Sequence, residues 1–414
     1  EMFLTTTDAS GNQEPTATPD TTTAIAGVPI TIDVLANDSD PESEDLRIVS
    51  LETGTTSGTV SIDAGDLAVT YTAPPGFSGD DAFDYSMTDC AGGVASATVS
   101  VAVASPPRVW RVPSEAPTVQ AGIDSAAAGD TVLVEAGVYG PIPPRAEVFP
   151  IVMKNGVALV SEDGPDVTMI DAGNMGRAIV LSGVDSTTVI RGFSIAGGVA
   201  GGVRTDDWGG GIHCQDASPL IDRCVFQWNM GAVGGGFACE GASSPRLTEC
   251  AFLWNGGWER GGGAACGAGA RLSIESCTFS ANESGSGSGL HVAAGGEVSV
   301  SRSIIASGVF GEAVSCTGDG EAALSCSDVF GNEGGDWVGC IAGQEGDSGN
   351  FSADPLFCDP VIGDLHLGEF SPCADVPGCG LVGAYGSGCA PGPEIDVEPE
   401  WSDLAWPTGP SSDT

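Results

Sequence analysis

The chain has few positively charged side chains. Its 414 residues include 13 Lys and Arg against 56 Asp and Glu, giving a net charge of −43, and Lys154 is the single lysine. Binding to nucleic acid or to an anionic membrane surface depends on clustered Lys and Arg. The composition therefore argues against both as partners. It also disfavours polyanionic substrates unless a cation intervenes, because the acidic surface itself favours divalent cations.

Two further absences narrow the class of protein. No run of about 18 apolar residues occurs, so the sequence predicts no membrane span. The 14 cysteines include no CxxC pair, which disfavours a zinc site. Their even number favours disulfides and hence an extracellular or cell-surface location. No secretory leader begins at Glu1, so we expect a processed form.

Three consecutive segments of similar sequence dominate the middle of the chain. They read GGGIHCQDASPLIDRCVFQWN (209–229), GGGFACEGASSPRLTECAFLWN (234–255) and GGGAACGAGARLSIESCTFSAN (261–282), so the register advances by 25 and then by 27 residues. Self-similarity at this period indicates a solenoid. Each segment is short, rich in strand formers and bounded by turn residues, which predicts one coil of a parallel β-helix per segment.

Equivalent residues of stacked coils form columns about 4.8 Å apart. A column of phenylalanines is expected to fill the core, and a column of asparagines to bond the turns together. These ladder residues are Phe226, Phe252, Phe279, Asn229, Asn255 and Asn282.

The repeated cysteines form two further columns, and their spacing favours one disulfide within each coil. The predicted pairs are Cys214–Cys224, Cys239–Cys250, Cys266–Cys277 and, by the same spacing, Cys316–Cys326. Pairing between coils stays open, because strand spacing also satisfies disulfide geometry. The sequence assigns no partners to Cys90, Cys340, Cys358, Cys373, Cys379 and Cys389.

Composition divides the chain into four parts. Residues 1–20 are polar and read as an extended segment, 21–105 as a β-sandwich, 106–389 as the β-helix, and 390–414 as an acidic, Pro-rich tail. The predicted fold class is thus all-β, with a β-sandwich followed by a right-handed parallel β-helix (solenoid) that begins with a short capping helix. The helix signal is TVQAGIDSAAAGD (118–130), where Val119 and Ile123 share one face and Gly129 ends the pattern.

Residues 21–105 resemble the cadherin-like Ig-fold modules of large bacterial surface proteins. The resemblance rests on VLANDSDPESEDL, on LAVTYTAPPGFSGDDAFDYSMTD and on the final alternating strand. It implies calcium as a cofactor, bound by Asp38, Asp40, Asp81 and Asp89. The alternative is that these four carboxylates are ordinary turn residues.

Residues 108–389 resemble right-handed β-helix proteins of the pectate-lyase-like superfamily, through the amphipathic capping helix, the repeats and the closing segment (351–389). Enzymes of that superfamily need carboxylates and a basic residue. The best local group, although it matches no enzyme signature, is Arg204, Asp206, Asp207 and His213. The alternative is that these residues decorate a corner of the solenoid.

Trp228 and Trp254 occupy equivalent positions two residues after the ladder phenylalanines. A row of exposed indoles would suit glycan binding, and packing within the turns is the alternative.

These observations favour an extracellular structural or adhesive surface protein. Its expected partners are copies of itself, joined head to tail by strand addition from a terminal segment, and surface glycans. The alternatives are a polysaccharide lyase or hydrolase and a non-catalytic glycan-binding β-helix.

Overall fold

A computed structural model describes residues 12–54, 56–201 and 207–389. The chain divides into two compact units between Pro107 and Arg108. The predictions made above for residues 1–11, for the tail 390–414 and for Arg204 and Asp206 concern residues outside these ranges. Among the described helices, none is long and apolar enough to cross a bilayer.

Within residues 12–54 and 56–107, the first unit contains seven strands. They are β1 (Asp20–Ile25), β2 (Ile30–Ile32), β3 (Arg47–Glu52), β4 (Thr59–Ile62), β5 (Val69–Thr72), β6 (Gly79–Thr88) and β7 (Val94–Ala104). One sheet has the order β1-β7-β6-β3 and the other β2-β5-β4, and the β1–β7 pair is parallel. Alternate residues of β6 and β7 point inward, as the period-two pattern predicts, and Phe83, Tyr85 and Val99 lie in the core.

This unit begins before residue 21. Asn12 donates to the Asp89 carboxylate (2.7 Å), Gln13 donates to Glu42 (2.7 Å), and Thr16 forms an antiparallel bridge with Ser39. From residue 12 onward, the segment predicted to be extended is therefore bound to its own sandwich.

The second unit contains the solenoid. In chain order its elements are β8 (Val109–Val112), α1 (Val119–Ser125), β9 (Thr131–Val134), β10 (Gly137–Tyr139), β11 (Ile151–Val152), β12 (Ala158–Ser161), β13 (Thr168–Asp171), β14 (Ile179–Ser182), β15 (Val189–Arg191), β16 (Ser194–Ala196), β17 (Ile212–Gln215), β18 (Leu220–Asp222), β19 (Val225–Gln227), β20 (Met230–Val233), β21 (Phe237–Glu240), β22 (Arg246–Thr248), β23 (Ala251–Leu253), β24 (Gly256–Arg260), β25 (Ala264–Cys266), β26 (Arg271–Glu275), β27 (Thr278–Ser280), β28 (Glu283–Ser284), β29 (Leu290–Val292), β30 (Glu297–Ser301), β31 (Ile304–Ala306), β32 (Val309–Phe310), β33 (Val314–Cys316), β34 (Glu321–Ser325), β35 (Asp328–Phe330), a 3₁₀ helix (Gly339–Ile341), β36 (Phe357–Asp359) and β37 (Asp364–Leu367).

Four parallel sheets run along the solenoid. Sheet I has the order β34-β30-β26-β22-β18-β15-β12-β9-β8, sheet II β10-β13-β16-β19-β23-β27-β31-β35, and sheet III β11-β14-β17-β21-β25-β29-β33. Sheet IV is shorter, with the order β20-β24-β28-β32. Each sheet takes one strand from each successive coil, which is the arrangement that the repeat predicts.

The described ends of the solenoid are covered. At the first coil, α1 begins at the N-cap Thr118 and buries Val119 and Ile123. At the last coil, the Gln344 side-chain amide pairs with the edge of β34 by accepting from Leu324 N and donating to Ala322 O, both at 2.8 Å. Both devices protect strand edges that would otherwise stay unpaired.

The phenylalanine column lies in register inside the coil. Phe226 pairs with Phe252, which pairs with Phe279, and successive ring centroids are 4.4 Å apart. All three rings are buried. The column therefore fixes which coil residues face each other.

The asparagine column bonds successive turns. Asn229 Nδ2 donates to Asn255 Oδ1 and Asn255 Nδ2 donates to Asn282 Oδ1, both at 3.0 Å. Gly308 interrupts the column, and Asn332 resumes it by accepting from Gly308 N at 3.0 Å. Sequence reasoning missed Asn332, which follows a glycine where the repeat has an aromatic or small residue.

The four predicted disulfides within coils are wrong. Cys214, Cys224, Cys239, Cys250, Cys266 and Cys277 are buried free thiols, and Cys316 and Cys326 have other partners. In each coil a strand of sheet I separates the two cysteines. Strand β26, for example, has five residues and spans about 16 Å, whereas disulfide-bonded Cα atoms lie within about 7 Å.

The second cysteine column is a hydrogen-bond ladder. Cys250 N donates to Cys277 Sγ (3.4 Å), Cys277 N to Ser303 Oγ (3.0 Å) and Ser303 N to Ser327 Oγ (3.3 Å). Each of these residues follows a left-handed turn residue, such as Ser276 at φ 52°. The thiols therefore do in the early coils what hydroxyls do in the later ones.

The first cysteine column is part of the apolar core. Leu181, Cys214, Cys239, Cys266 and Val292 occupy successive positions of sheet III. Cys acts here as a small apolar side chain.

Three disulfides lie at the C-terminal end of the chain. They join Cys316 to Cys340, Cys326 to Cys379, and Cys358 to Cys389. The first joins β33 to the 3₁₀ helix, and the second ties the closing segment to the end of β34. Cys373 is a buried thiol and Cys90 an exposed one.

Candidate functional site

The described members of the predicted catalytic group lie in two polar pairs. Asp207 forms an ion pair with Arg177 (Oδ1–Nη2 3.8 Å), and Arg177 Nε also donates to the Trp208 carbonyl (2.8 Å). His213 Nε2 lies 3.1 Å from Glu240 Oε1. Sequence reasoning missed Arg177 and Glu240, because each comes from a neighbouring coil.

Burial and nearby charges disfavour protonation of the His213 ring. Burial lowers its pKa, the Arg177 charge lowers it further, and Glu240 opposes both. A neutral imidazole held by one carboxylate could accept a proton, as a general base must. The ring side chain is only 12% exposed, however, so a bulky substrate has little access to it.

The two predicted glycan-binding tryptophans are stacked. The rings of Trp228 and Trp254 lie 5.2 Å apart at 11°. Trp254 packs against Leu365 and Tyr385 of the closing segment, whereas Trp228 is 39% exposed. The pair is thus a stack with one partly exposed indole rather than a row of free indole rings.

The four predicted calcium ligands do not form one site. Asp81 is buried and accepts from the Tyr71 hydroxyl (2.6 Å), from Thr56 (2.8 Å) and from backbone N–H groups. Asp38 accepts from the Tyr85 hydroxyl (2.7 Å) and from Thr18 N (2.7 Å). Both carboxylates therefore organise loops of the sandwich.

The other two predicted ligands meet, and Glu44 joins them. One carboxylate oxygen from each of Asp40, Glu44 and Asp89 lies within 4.8 Å of the others. The buried atoms Asp40 Oδ2 and Asn12 Oδ1 have no hydrogen-bond partner. Desolvation and the charges of Asp89 and Asp40 raise the pKa of Glu44. Hard oxygen donors, repelling charges and orphaned oxygens together fit a calcium ion.

Positive charge is concentrated on the outer face of sheet I. Arg residues there pair with carboxylates of neighbouring coils, as in Arg191–Asp222 (2.7 Å), Arg223–Glu249 (2.8 Å) and Arg271–Glu297 (2.9 Å). Glu275 contacts both Arg246 and Arg302. Each exposed pair contributes about 0–1 kcal/mol, so the ladder supports register more than stability.

Comparison with known proteins matches both units. Residues 12–102 match the family model described as a bacterial Ig domain, and residues 177–343 match the model described as a right handed beta helix region. No curated protein matches the chain.

One solved structure aligns with part of the chain. It is a nucleoside hydrolase-related hypothetical protein from Saccharophagus degradans that is associated with carbohydrate metabolism. The identity is 20%, the alignment covers 22% of this chain and 26% of that one, and the TM-score is 0.19, so this likeness carries no argument. The two family matches agree with the observed strands, and the chain therefore contains a bacterial Ig domain at 12–102 and a right-handed β-helix region that includes 177–343.

Proposed function

We propose that the chain is a structural or adhesive protein of the cell surface, in which a calcium-binding Ig domain precedes a rigid β-helix. Disulfides and a bacterial Ig domain are typical of extracellular proteins. The observation that carries the proposal is the set of four ladders between coils. Phenylalanine, asparagine, thiol–hydroxyl and Arg–carboxylate columns all join one coil to the next.

A catalytic role is the second candidate, and the His213–Glu240 pair favours it. Against it, the paired groups in the described part of the chain engage one another: His213 with Glu240, and Asp207 with Arg177. Hydrolysis of a glycan needs two carboxyl groups facing one bond about 5–10 Å apart. Incubation with neutral and acidic polysaccharides, followed by product analysis, tests this candidate. Released oligosaccharides that disappear with His213→Ala would favour an enzyme over a structural protein.

Surface location is tested on intact cells of the native host. An antibody against the β-helix should label unpermeabilised cells, and protease treatment of those cells should remove the label. Label that appears only after permeabilisation would contradict the proposal.

Head-to-tail assembly by strand addition is the finer part of the proposal. Residues 12–20 are occupied within their own domain, so a donated strand would have to come from 1–11 or 390–414. Light scattering of the full chain and of a chain ending at residue 389, with and without calcium, tests this. A monodisperse monomer of the full chain at high concentration contradicts assembly.

A further inference from the structure

A groove lies on the outer face of sheet IV. It has a volume of about 250 Å³, below the range of roughly 300–1,000 Å³ for pockets that enclose a drug-sized ligand. A space of this size suits one ring of a longer chain that extends beyond it. The groove is lined mainly by Met230, Gly256, Trp258, Glu283, Gly285 and Phe310.

Missing side chains create the groove. Met230, Gly256, Glu283 and Val309 form one column across the four strands, and Gly256 leaves a gap between its neighbours. Packing does not demand glycine there, because an added Cβ would lie 3.8 Å from Met230 Cγ, an ordinary contact. At Gly285 an added Cβ would meet nothing within 4 Å. Neither residue has a positive φ, so both glycines keep space open rather than relieve the backbone.

Two aromatic rings flank this space and face solvent. Trp258 is 47% exposed and Phe310 is 67% exposed. Phe310 has φ 70°, a conformation that is costly for a bulky residue, and its N–H donates to Glu333 (2.9 Å). In the free protein, the backbone strain and the exposure of a large apolar ring at Phe310 both cost free energy. Such costs are typical of a binding site.

Glu283 supplies the polar group. Its carboxylate has no hydrogen-bond or ion-pair partner within 12–54, 56–201 and 207–389, although Glu240, Glu249, Glu275 and Glu297 on other coils are all paired. Burial raises its pKa. A free acceptor between two aromatic rings is suited to hydroxyl groups on an apolar ring face.

From this arrangement we infer that the sheet IV groove binds an uncharged glycan chain, with one sugar ring seated between Trp258 and Phe310 and hydroxyls bonded to Glu283. The net charge of −43 and the carboxylate in the groove disfavour anionic glycans. This site is distinct from the stacked pair of Trp228 and Trp254. The inference deepens the proposed adhesive role and rests on it for its biological setting.

Calorimetric titration of the full chain with cellohexaose, xylohexaose and mannohexaose tests the inference, with hexagalacturonate as the anionic comparison. At least one neutral hexasaccharide should bind, and Trp258→Ala should weaken it about tenfold or more. Trp228→Ala should leave the affinity unchanged. Absence of binding by all three neutral probes at millimolar concentration would overturn the inference, as would tighter binding of hexagalacturonate or an effect of Trp228→Ala alone.

Two variants guard against misfolding. Gly256→Leu fills the groove at a position where space is available, so it should abolish binding and leave thermal unfolding unchanged. Gly54→Leu, at an open position of the Ig domain, is the matched control and should bind normally. Normal binding by Gly256→Leu would also overturn the inference. These titrations use purified protein, so their failure would leave the result of the cell-labelling experiment intact.

Discussion

The thiol of Cys277 occupies a position that a hydroxyl fills in the next coil. It accepts from Cys250 N and donates to the Glu275 carbonyl (3.3 Å), and Ser303 makes the same two kinds of bond. The sequence contains this signal, because SRSII aligns with ESCTF and puts Ser303 in the cysteine column. Cysteine count and spacing alone predicted disulfides, since they carry no information on the strand that separates the two columns.

Replacing Cys277 by serine should be tolerated. Serine keeps both hydrogen bonds, so we expect a change in the free energy of unfolding of at most about 1 kcal/mol, measured by urea denaturation. Cys277→Val is the matched control and should cost about 1–3 kcal/mol, because it leaves Cys250 N–H buried and unpaired. Equal stability of the valine variant and the wild type would contradict the ladder role.

The thiols should differ sharply in reactivity. Burial raises the pKa of Cys214, of Cys224 and of Cys373, whereas Cys90 is exposed. Because the other seven free thiols are buried and out of reach of the reagent, iodoacetamide should modify Cys90 alone in the folded chain and all eight free cysteines after unfolding. Mass mapping measures this. A disulfide between any two of the repeat cysteines would refute the assignment.

At the scale of elements, the period of the sequence repeat predicted the register of the coils. The Gly-Cys-Phe-Asn repeat placed Phe226, Phe252 and Phe279 at one register, and the structure has them there because a stacked aromatic column leaves no alternative alignment. The closing segment has no such period. Its cap and the partners of Cys340, Cys379 and Cys389 depend on how a non-repeating chain folds back, which residue spacing does not determine.

The closing segment forms a pH-sensitive contact with β35. Asp328 is buried, accepts from Ala353 N (3.0 Å) and from the Cys373 thiol (3.4 Å), and burial raises its pKa from 3.8 to about 7. The folded protein therefore holds this proton to higher pH than the unfolded chain does. Its contribution to stability is complete below about pH 4 and is lost as pH rises toward 7.

Asp328→Asn should remove the loss of stability that the wild type shows as pH rises toward 7. We expect the variant to be more stable than the wild type at pH 8, by roughly 2–4 kcal/mol, and close to it at pH 4. Urea denaturation between these limits measures the difference. Asp347→Asn changes an exposed carboxyl group and is the control, so its stability should follow the wild-type pH profile. An Asp328→Asn profile that runs parallel to the wild type would show that Asp328 is ionised without cost.

At the scale of the whole molecule, composition predicted a boundary between residues 105 and 106, in the Pro-rich stretch SPPRVWRVP (105–113). The structure divides two residues later, between Pro107 and Arg108. The start of the sandwich was harder to predict, because residues 12–19 join it through side-chain and bridge contacts to Glu42, Ser39 and Asp89. Of the three carboxylates that meet in the acidic cluster, Asp40 and Asp89 were singled out from the sequence and Glu44 was not, because its place in the cluster depends on how the loops fold.

Calcium should stabilise the Ig domain and leave the β-helix unchanged. A ligand that binds only the folded domain adds about 2.7 kcal/mol at 100 times its Kd, so calcium should raise the domain's unfolding temperature in scanning calorimetry relative to EGTA. Glu44→Gln removes one donor and relieves repulsion, so it should reduce the calcium response and raise the stability without calcium. Asp81→Asn disturbs a carboxylate that is already satisfied by protein donors, and it should lower stability equally with and without calcium. An unfolding temperature that does not change with calcium would exclude calcium binding by the domain. A calcium response that persists in Glu44→Gln but is lost in Asp81→Asn would place the ion at another site.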